Sequence, residues 1–335
     1  MALVMDLSII IINWNSADYL NNCLRSLYDN VKGPEFEIIV VDNASFDGSE
    51  AMLRSHYPQA TFIQSDANLG FSKANNLGAK QARGRVFLFL NPDTEVTGSA
   101  IQDMMSTFDA RPDAGIVGCK LLNGDGTIQT SCIAAFPTIL SEALDLEYLQ
   151  VLFPESRLWG MAALATQSSD PQQVECVSGA CLMIRRDVFE SVGGFSANYF
   201  MYAEDRDLCY KVHQAAYRAY FVGSATIVHF GGRSSESQTE SNFSAVMRCQ
   251  SLLEFMRCRH GWAYAAAYRG TTAVAAFFRL MILGSIYATL PGWRTRWHPA
   301  LNKWVGIFRW SLGRETCASR YGAEHAASSG VRVVS

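Results

Sequence analysis

Residues 86–94 read V-F-L-F-L-N-P-D-T, an apolar run of strand type that stops at Asn91-Pro92-Asp93. A buried strand has no use for a carboxylate, so Asp93 is expected where the chain leaves the core. In an open parallel sheet, ligands bind just beyond the carboxyl ends of the strands. An acidic group there is suited to a divalent cation, and such a cation to a diphosphate. Asn-Pro-Asp is also good turn chemistry, so the stretch alone leaves a plain turn open and the surrounding sequence has to decide.

Strand and helix patterns alternate on both sides of it. Leu7–Ile12 is an unbroken β-branched run, after which Tyr19, Leu20, Cys23, Leu24 and Leu27 recur with helical spacing. Ser16 or Asp18 is placed to cap that helix. Strands are expected at Phe36–Val41, Thr61–Gln64 and Ala114–Lys120, and helices at Glu50–His56, Ser72–Ala82 and Gly98–Phe108. Val174–Arg185 resumes strand character around Ser178-Gly179-Ala180. A short helix at 187–193, a stronger one at Asp205–Ala216 and a final strand at Tyr220–His229 follow. This alternation predicts an α/β fold with a mostly parallel central sheet flanked by helices. The region 124–172, mixed aromatic and acidic, is expected to form loops and helices over an acceptor site. There is no internal repeat or low-complexity segment.

The 335 residues, 49% of them apolar, suffice for one large α/β domain with an appendage. The net charge of −3 conceals an asymmetry: residues 1–230 carry 15 Lys/Arg against 26 Asp/Glu, a net −11, whereas residues 231–320 carry 12 against 4, a net +8. The basic part also holds Trp262, Trp293, Trp297, Trp304 and Trp310, five of the seven tryptophans. An acidic body with a basic, Trp-rich end points to an anionic membrane surface as partner, not a nucleic acid. Nine cysteines without a C-x-x-C or a paired framework favour a reducing compartment. The start is not patterned as a signal peptide, since polar Asn13-Trp14-Asn15 follows Leu7–Ile12 at once.

Three strands are expected to end on polar groups, at Asn13/Asn15, Asp42/Asn43 and Asn91/Asp93, and a doubly wound sheet sets such ends side by side. Asp42 is suited to accept a hydrogen bond from a pyrimidine imide or a ribose hydroxyl. Residues 44–49 turn into a helix with Ser45 or Asp47 as its cap. Asn68-Leu69-Gly70-Phe71, then Asn75-Asn76, makes a second polar loop in which Gly70 lets the backbone approach a ligand closely. The G-x-G-x-x-G fingerprint is absent after the first strand, and so is the P-loop pattern, which argues against a Rossmann dehydrogenase.

The strings I-I-N-W-N (11–15), V-V-D-N-A-S-F-D-G-S (40–49), N-L-G-F-S-K-A-N-N-L-G-A (68–79) and F-L-N-P-D-T-E-V (89–96) together resemble the family 2 glycosyltransferases. The nearest subgroup is the bacterial rhamnosyltransferase-like enzymes of cell-surface polysaccharide assembly, and the resemblance runs from about Leu7 to Ser235. It implies a GT-A fold, an inverting transfer from a nucleotide-diphosphate sugar, and a divalent cation, Mg²⁺ or Mn²⁺. It makes Asp42 the aspartate that contacts base or ribose, and Asp93 the last acidic residue of the metal-binding D-x-D motif. Asn91 stands at the first position of that motif, which leaves fewer charges for the cation. Asn13, Asn15, Asn68, Gly70, Phe71, Asn75 and Asn91 complete the expected donor site.

The segment V-S-G-A-C-L-M-I-R (177–185) resembles the family's approach to the acceptor site and reads equally as an ordinary strand with a packing glycine. Ser178, Gly179, Ala180 and Tyr202 are the acceptor candidates. In F-M-Y-A-E-D-R-D-L-C-Y-K (200–211), Glu204, Asp205 and Asp207 crowd three carboxylates into four residues. Acids are favoured in the first turn of a helix, which accounts for one or two of them but not for the aromatic run Tyr199–Tyr202 that leads in. The resemblance makes Asp205 the general base, with Glu204 orienting the acceptor or the base. His229, at a strand end, reads as structural or as a ligand. The string V-H-F-G-G-R-S (228–234) resembles the family's metal-ligating histidine, and Arg233 then contacts the diphosphate. Inverting transfer needs one base for the acceptor hydroxyl and a cation on the leaving group. It needs no carboxylate nucleophile.

Thr271–Leu290 is a 20-residue stretch broken by one charge, Arg279. It is long enough to span a bilayer, though a central arginine costs about 2.5–3.5 kcal/mol on insertion scales. Beyond Pro291, Trp297, Leu301, Trp304 and Phe308 recur at spacings of four, three and four among Arg294, Arg296, Lys303 and Arg309. This is an amphipathic pattern suited to lying in a membrane interface. A buried helix pair and a true span are the alternatives. A polyprenyl-linked acceptor would explain attachment.

The sequence therefore predicts a catalytic domain at 1–235, divided into a nucleotide-sugar half (1–120) and an acceptor half (121–235). A membrane-associating helical region at 236–320 and a disordered tail at 321–335 complete the chain. The expected activity is transfer of L-rhamnose from dTDP-rhamnose to a lipid-linked or growing cell-surface glycan, by a cytoplasmic enzyme peripheral on the inner face of the cell membrane. The alternatives are a UDP-hexose or UDP-galactofuranose donor, and a non-catalytic nucleotide- or glycan-binding module, which the joint presence of Asp93, Asp205 and His229 disfavours. A homo-oligomer is compatible with the sequence.

Overall fold

The computed structural model describes residues 5–144, 147–166, 168, 170–231, 241–289 and 294–315. By its internal contacts the chain divides into two compact units, Met1–Pro137 with Asp145–Ser237, and Thr138–Leu144 with Gln238–Ser335.

The first unit is built on β1 (Leu7–Asn13), β2 (Phe36–Asp42), β3 (Thr61–Gln64) and β4 (Val86–Leu90), joined by helices α1 (Ala17–Asn30), α2 (Ser49–His56) and α3 (Gly70–Ala79). The order β3-β2-β1-β4 is parallel throughout. Every residue of β1 and β4 is buried. Covering by helices on both faces is what makes these strands unbroken apolar runs instead of alternating ones. After α4 (Ala100–Ala110), β6 (Ala114–Leu122) and β11 (Arg218–His229) run parallel, and β10 (Cys181–Arg185) lies antiparallel between β4 and β6. The α/β architecture with a mostly parallel sheet is as expected.

Two elements depart from the sequence reading. The strand expected across Val174–Arg185 is three pieces, β8 (Gln172–Val174), β9 (Cys176–Val177) and β10. Backbone groups at the break serve other partners: the Ser178 N–H donates to the Cys132 carbonyl at 2.9 Å and the Gly179 N–H to a carboxylate of Asp205 at 3.0 Å. The other is β5 (Thr94–Val96), not foreseen because three residues carry no periodicity. It pairs antiparallel with the end of β11, setting His229 opposite Thr94. The region 124–172 forms a hairpin turn, a 3-10 turn at Thr130–Cys132, strand β7 (Ile133–Ala134) and short helices α5 (Ile139–Ala143), α6 (Glu147–Leu152) and α7 (Ala162–Ala165). Helices α8 (Arg186–Ser191) and α9 (Glu204–Gln214) follow β10.

The second unit packs α10 (Ser241–His260), α11 (Trp262–Thr289) and α12 (Arg294–Ser311) with α5. Trp310 is buried, donates its indole N–H to Gln250 at 2.9 Å, and lies beneath the Arg269 guanidinium. The apolar stripe of α12 is half-buried against α11: Arg279 sits 4.2 Å from the ring centre of Trp304, and Phe277 meets Phe308. Most of the exposed apolar surface lies on α11, at Val274, Phe277, Phe278, Met281 and Ile282, with Val305 of α12 also exposed. Among the described residues α11 is the one helix long and apolar enough to cross a membrane by length and composition.

Candidate functional site

The carboxyl edge of β2-β1-β4 gathers the polar strand ends foreseen from the sequence. Register pairs Asn13 with Asp42 and Ile11 with Leu90, the residue before Asn91. Asp42 is wholly buried and saturated. It accepts from Asn13 Nδ2 at 2.8 Å, the Ser45 N–H at 3.0 Å, Gln64 Nε2 at 2.7 Å and the Ser45 hydroxyl. Burial works to raise its pKa, but the hydrogen bonds from Ser45, Asn13 and Gln64 outweigh it and hold the carboxyl below the usual range. Asp47, read from sequence as a cap for α2, also reaches across to α1. Its Oδ2 accepts from the N–H groups of Ser16 and Ala17, each at 3.0 Å, while Ser16 makes no side-chain cap bond. A carboxylate suits those orphan donors and the positive end of the helix.

The second polar loop closes on the first. Asn43 Nδ2 donates to Asn68 Oδ1 at 2.7 Å, which also accepts the Gly70 N–H at 2.9 Å. Gly70, at φ +74°, leaves no room for a Cβ, which would strike the Phe200 carbonyl. The Phe71 N–H donates to that same carbonyl at 2.7 Å. Asn75 is buried and donates to the Phe71 carbonyl at 3.0 Å. Asn15 is exposed and left-handed at φ 52°.

At the end of β4, where the chain leaves the core, Asp93 is buried. The β5–β11 pairing brings His229 to it: Nε2 stands 3.3 Å from Asp93 Oδ1 and 3.3 Å from Asn91 Nδ2. The other ring nitrogen, Nδ1, is 2.8 Å from Gln129 Oε1. Among the described residues no group of three or more His, Cys, Asp or Glu gathers as a metal cage. The donor set fits a smaller commitment, one carboxylate and one imidazole facing the same point. Mg²⁺-type ions are held by one or two carboxylates when substrate phosphates and water complete the coordination, and an imidazole nitrogen is a common ligand for divalent transition ions.

The corner around Asp205, the residue expected from the sequence to act as base, lies next to it. The Asn91 N–H donates to the Ala180 carbonyl at 2.9 Å, and Gly179, one residue back, donates to Asp205 Oδ2 at 3.0 Å. Asp205 is half-buried at the start of α9. The aromatic run enters this helix through two successive left-handed residues, Tyr202 (φ 67°) and Ala203 (φ 61°). Such conformations cost of order 1–3 kcal/mol each for non-glycine residues. The three carboxylates separate by role. Asp207 is fully buried and accepts from Ser196 Oγ at 2.6 Å and Tyr199 OH at 3.1 Å, a structural tie. Glu204 is buried with Oε2 unpartnered, and burial, followed by the neighbouring Asp205 charge, pushes its pKa up to about 8.

Asp93, His229, Asn91, Ala180, Gly179 and Asp205 thus form one continuous edge. Ser178 is half-buried beside it, and Arg233 lies outside the described residues. Sequence reasoning missed Gln129, whose link to His229 spans 100 residues. It also missed Phe46, 72% exposed on a left-handed backbone at the rim of the Asp42 loop. An exposed aromatic inside a motif turn is the signal that was available for Phe46. Nothing local marks Gln129.

The family model described as glycosyl transferase family 2 matches residues 8–193. An N-acetylglucosaminyl-diphospho-decaprenol L-rhamnosyltransferase of Mycobacterium tuberculosis is 26% identical over 295 residues, covering 84% of this chain and 94% of that protein. Rhamnosyltransferase WbbL of Escherichia coli is 24% identical over 243 residues, covering 68% of this chain and 85% of its own. Among solved structures, a mannosyltransferase of Pyrobaculum calidifontis in complex with GDP-Man and Mn²⁺ superposes with a TM-score of 0.58 at 17% identity, over 92% of this chain and 86% of that one. That likeness shows the fold, which is GT-A.

Proposed function

The chain belongs to glycosyl transferase family 2, and from this premise we propose that it moves L-rhamnose from dTDP-rhamnose onto a lipid-linked or growing cell-surface glycan, with inversion at the anomeric carbon. The observation that carries the reading is the continuous edge from His229 and Asp93 through Asn91 and Ala180 to Gly179 and Asp205. It sets Asp93 and His229, the two groups proposed to hold a cation, beside the half-buried carboxylate of Asp205, which supports a division of jobs that one-step transfer requires.

In that step Asp205 accepts the proton of the acceptor hydroxyl as its oxygen bonds to the anomeric carbon. The bond from that carbon to the diphosphate oxygen breaks, and its electron pair leaves with the diphosphate. The Gly179 N–H fixes the carboxylate of Asp205, so little reorganisation is needed when the proton arrives. Asp93 and His229 would hold a Mg²⁺ or Mn²⁺ ion, whose contribution is to stabilise charge on the leaving diphosphate. Asn13, Asn15, Asn68, Gly70, Phe71, Asn75 and Asn91 line the donor side, and Arg233 belongs to the same proposal. Asp42 reaches the base by exchanging the amide of Gln64, an exposed residue, for the imide N–H, one N–H donor for another. Ser178, Gly179, Ala180 and Tyr202 face the acceptor, with Glu204 held behind Asp205.

The mycobacterial relative is named for a decaprenol-linked acceptor, and the exposed apolar residues of α11 offer this chain a surface for the membrane where such an acceptor resides. We place the protein on the inner face of the cell membrane by that argument. The test is turnover of dTDP-rhamnose against UDP-glucose, UDP-galactose and UDP-galactofuranose with a polyprenyl-diphosphate-sugar acceptor and Mn²⁺. Release of dTDP coupled to a rhamnosylated lipid is expected. Turnover of a UDP-sugar in preference replaces the donor, and binding without turnover of any donor defeats the enzymatic reading.

A further inference from the structure

The hairpin after β6 contains an ordered series of side chains that the transfer chemistry above does not use. It starts at Asp125, whose carboxylate has no proton to give. The Thr127 hydroxyl therefore donates to it, at 2.6 Å. With its hydrogen committed, Thr127 Oγ1 accepts from Asn123 Nδ2 at 2.8 Å. The carbonyl end of the Asn123 amide then faces Gln129 and accepts from Gln129 Nε2 at 2.8 Å. The same Nε2 donates to the backbone carbonyl of His229 at 2.7 Å. Two acceptors on one side fix the amide of Gln129, and its Oε1 is left pointing at His229 Nδ1, 2.8 Å away. An amide oxygen can only accept there, so Nδ1 carries the ring proton and Nε2 presents a lone pair. That lone pair stands 3.3 Å from Asp93 Oδ1.

We propose that Gln129 is a positioning residue for cation binding: oriented by the Asp125–Thr127–Asn123 series, it locks His229 in the Nδ1–H tautomer so that Nε2 and the Asp93 carboxylate act as a pair of ligands. Two electron-pair donors with no hydrogen between them attract a divalent ion, which would take the place of the Asn91 Nδ2–H that stands 3.3 Å from Nε2, and a metal-ligating imidazole almost always has its other N–H held by an acceptor. The hairpin is also anchored for this purpose. Residues Leu122 and Ile128 bridge across it, Gly126 turns at φ 84°, and Gly124 lets the Phe230 ring pack 3.1 Å from where a Cβ would sit. Its continuation supports the base corner as well, since the Cys132 carbonyl accepts from Ser178, beside Gly179. The inference rests on the cation reading of Asp93 and His229 given above.

The test uses the full chain labelled with ring-¹⁵N histidine, metal-free and at alkaline pH, with proton–nitrogen correlation spectra of His229, and Mn²⁺ binding followed by electron paramagnetic resonance in the presence of dTDP. Wild type is expected to show a protonated Nδ1 and a bare Nε2. Gln129→Leu is expected to shift the ring toward the Nε2–H form and to weaken Mn²⁺ binding roughly 10–100-fold. Asn123→Leu, which leaves both Gln129 and His229 in place, is expected to show the same change in smaller measure and covers the case in which Gln129→Leu fails to fold. A wild-type ring protonated at Nε2 overturns the proposal, as does a Gln129→Leu chain with unchanged tautomer or unchanged Mn²⁺ affinity. A wild-type chain with the Nδ1–H tautomer and no Mn²⁺ binding overturns the cation reading, and the tether's purpose with it, while the tautomer assignment stands.

Discussion

The loop after β2 and the turn into α9 each bury a carboxylate at the same sheet edge, and they treat it in opposite ways. Around Asp42, Asn13, Ser45 and Gln64 turn their donors inward and hold the acid ionised despite full burial. Around Glu204 no donor reaches Oε2, and the Asp205 charge adds to the penalty, so the acid is neutral up to about pH 8. The Asp42 loop is thus finished as built, with its charge already compensated. The turn into α9 keeps an acid that resists ionising next to Asp205, the one proposed to take the acceptor's proton. Burial and the adjoining charge of Asp205 both disfavour the ionised form of Glu204, which leaves Asp205 as the carboxylate proposed to receive the acceptor's proton.

The largest test of this contrast is Asp205→Asn. It should lower kcat by about 10²–10⁴-fold with unchanged affinity for dTDP and an unchanged melting curve, and residual turnover near wild type would remove Asp205 from the chemistry. Next comes Asp42→Ala, which strands the buried donors of Asn13 and Ser45 and should cost about 2–4 kcal/mol in a denaturant titration. A loss near zero would mean that the loop is not held by its acid.

Glu204→Gln should act on pH dependence. The folded-state pKa lies above that of the unfolded chain, so the stabilising effect of the proton is full below the ordinary glutamate value of 4.5 and is lost as pH rises toward about 8. The glutamine variant should therefore remove a decline in stability on the order of a few kcal/mol between those limits. An identical pH–stability profile would show Glu204 ionised and compensated. The smallest effect is expected from Gly70→Ala at the seam between the two regions. The added Cβ meets the Phe200 carbonyl on a left-handed backbone, and a loss of about 1–2 kcal/mol with a raised KM for the donor is expected. Unaltered KM would separate this loop from donor binding.

Much of this was legible in the chain itself. The unbroken runs of β1 and β4 announced strands covered on both faces, and the polar residues at their ends announced the edge where Asn13, Asp42, Asn91 and Asp93 now stand together. The Glu204–Asp207 cluster announced a helix start, although only the structure shows that Asp207 is a tie for Ser196 and Tyr199. Less legible were interactions with no periodicity to reveal them. Asp47 serves α1 across 30 residues, and strand β5 is too short to register. In the helical unit, the stripe at Trp297, Leu301, Trp304 and Phe308 promised an interfacial face, but α12 packs it partly on α11, and most of the exposed apolar residues lie on the latter.

The sequence by itself determined the order of strands and helices, which strands lie inside, and which residue types gather at the carboxyl edge, because those follow from hydrophobic period and from where polar groups interrupt it. Only the tertiary structure decided that His229 stands beside Asp93, that Gln129 reaches its ring, and that donors offset burial at Asp42 but not at Glu204. Each of these depends on register and burial between segments far apart in the chain, and the free energy of a carboxylate or an imidazole is set by the atoms packed around it, not by its neighbours in sequence.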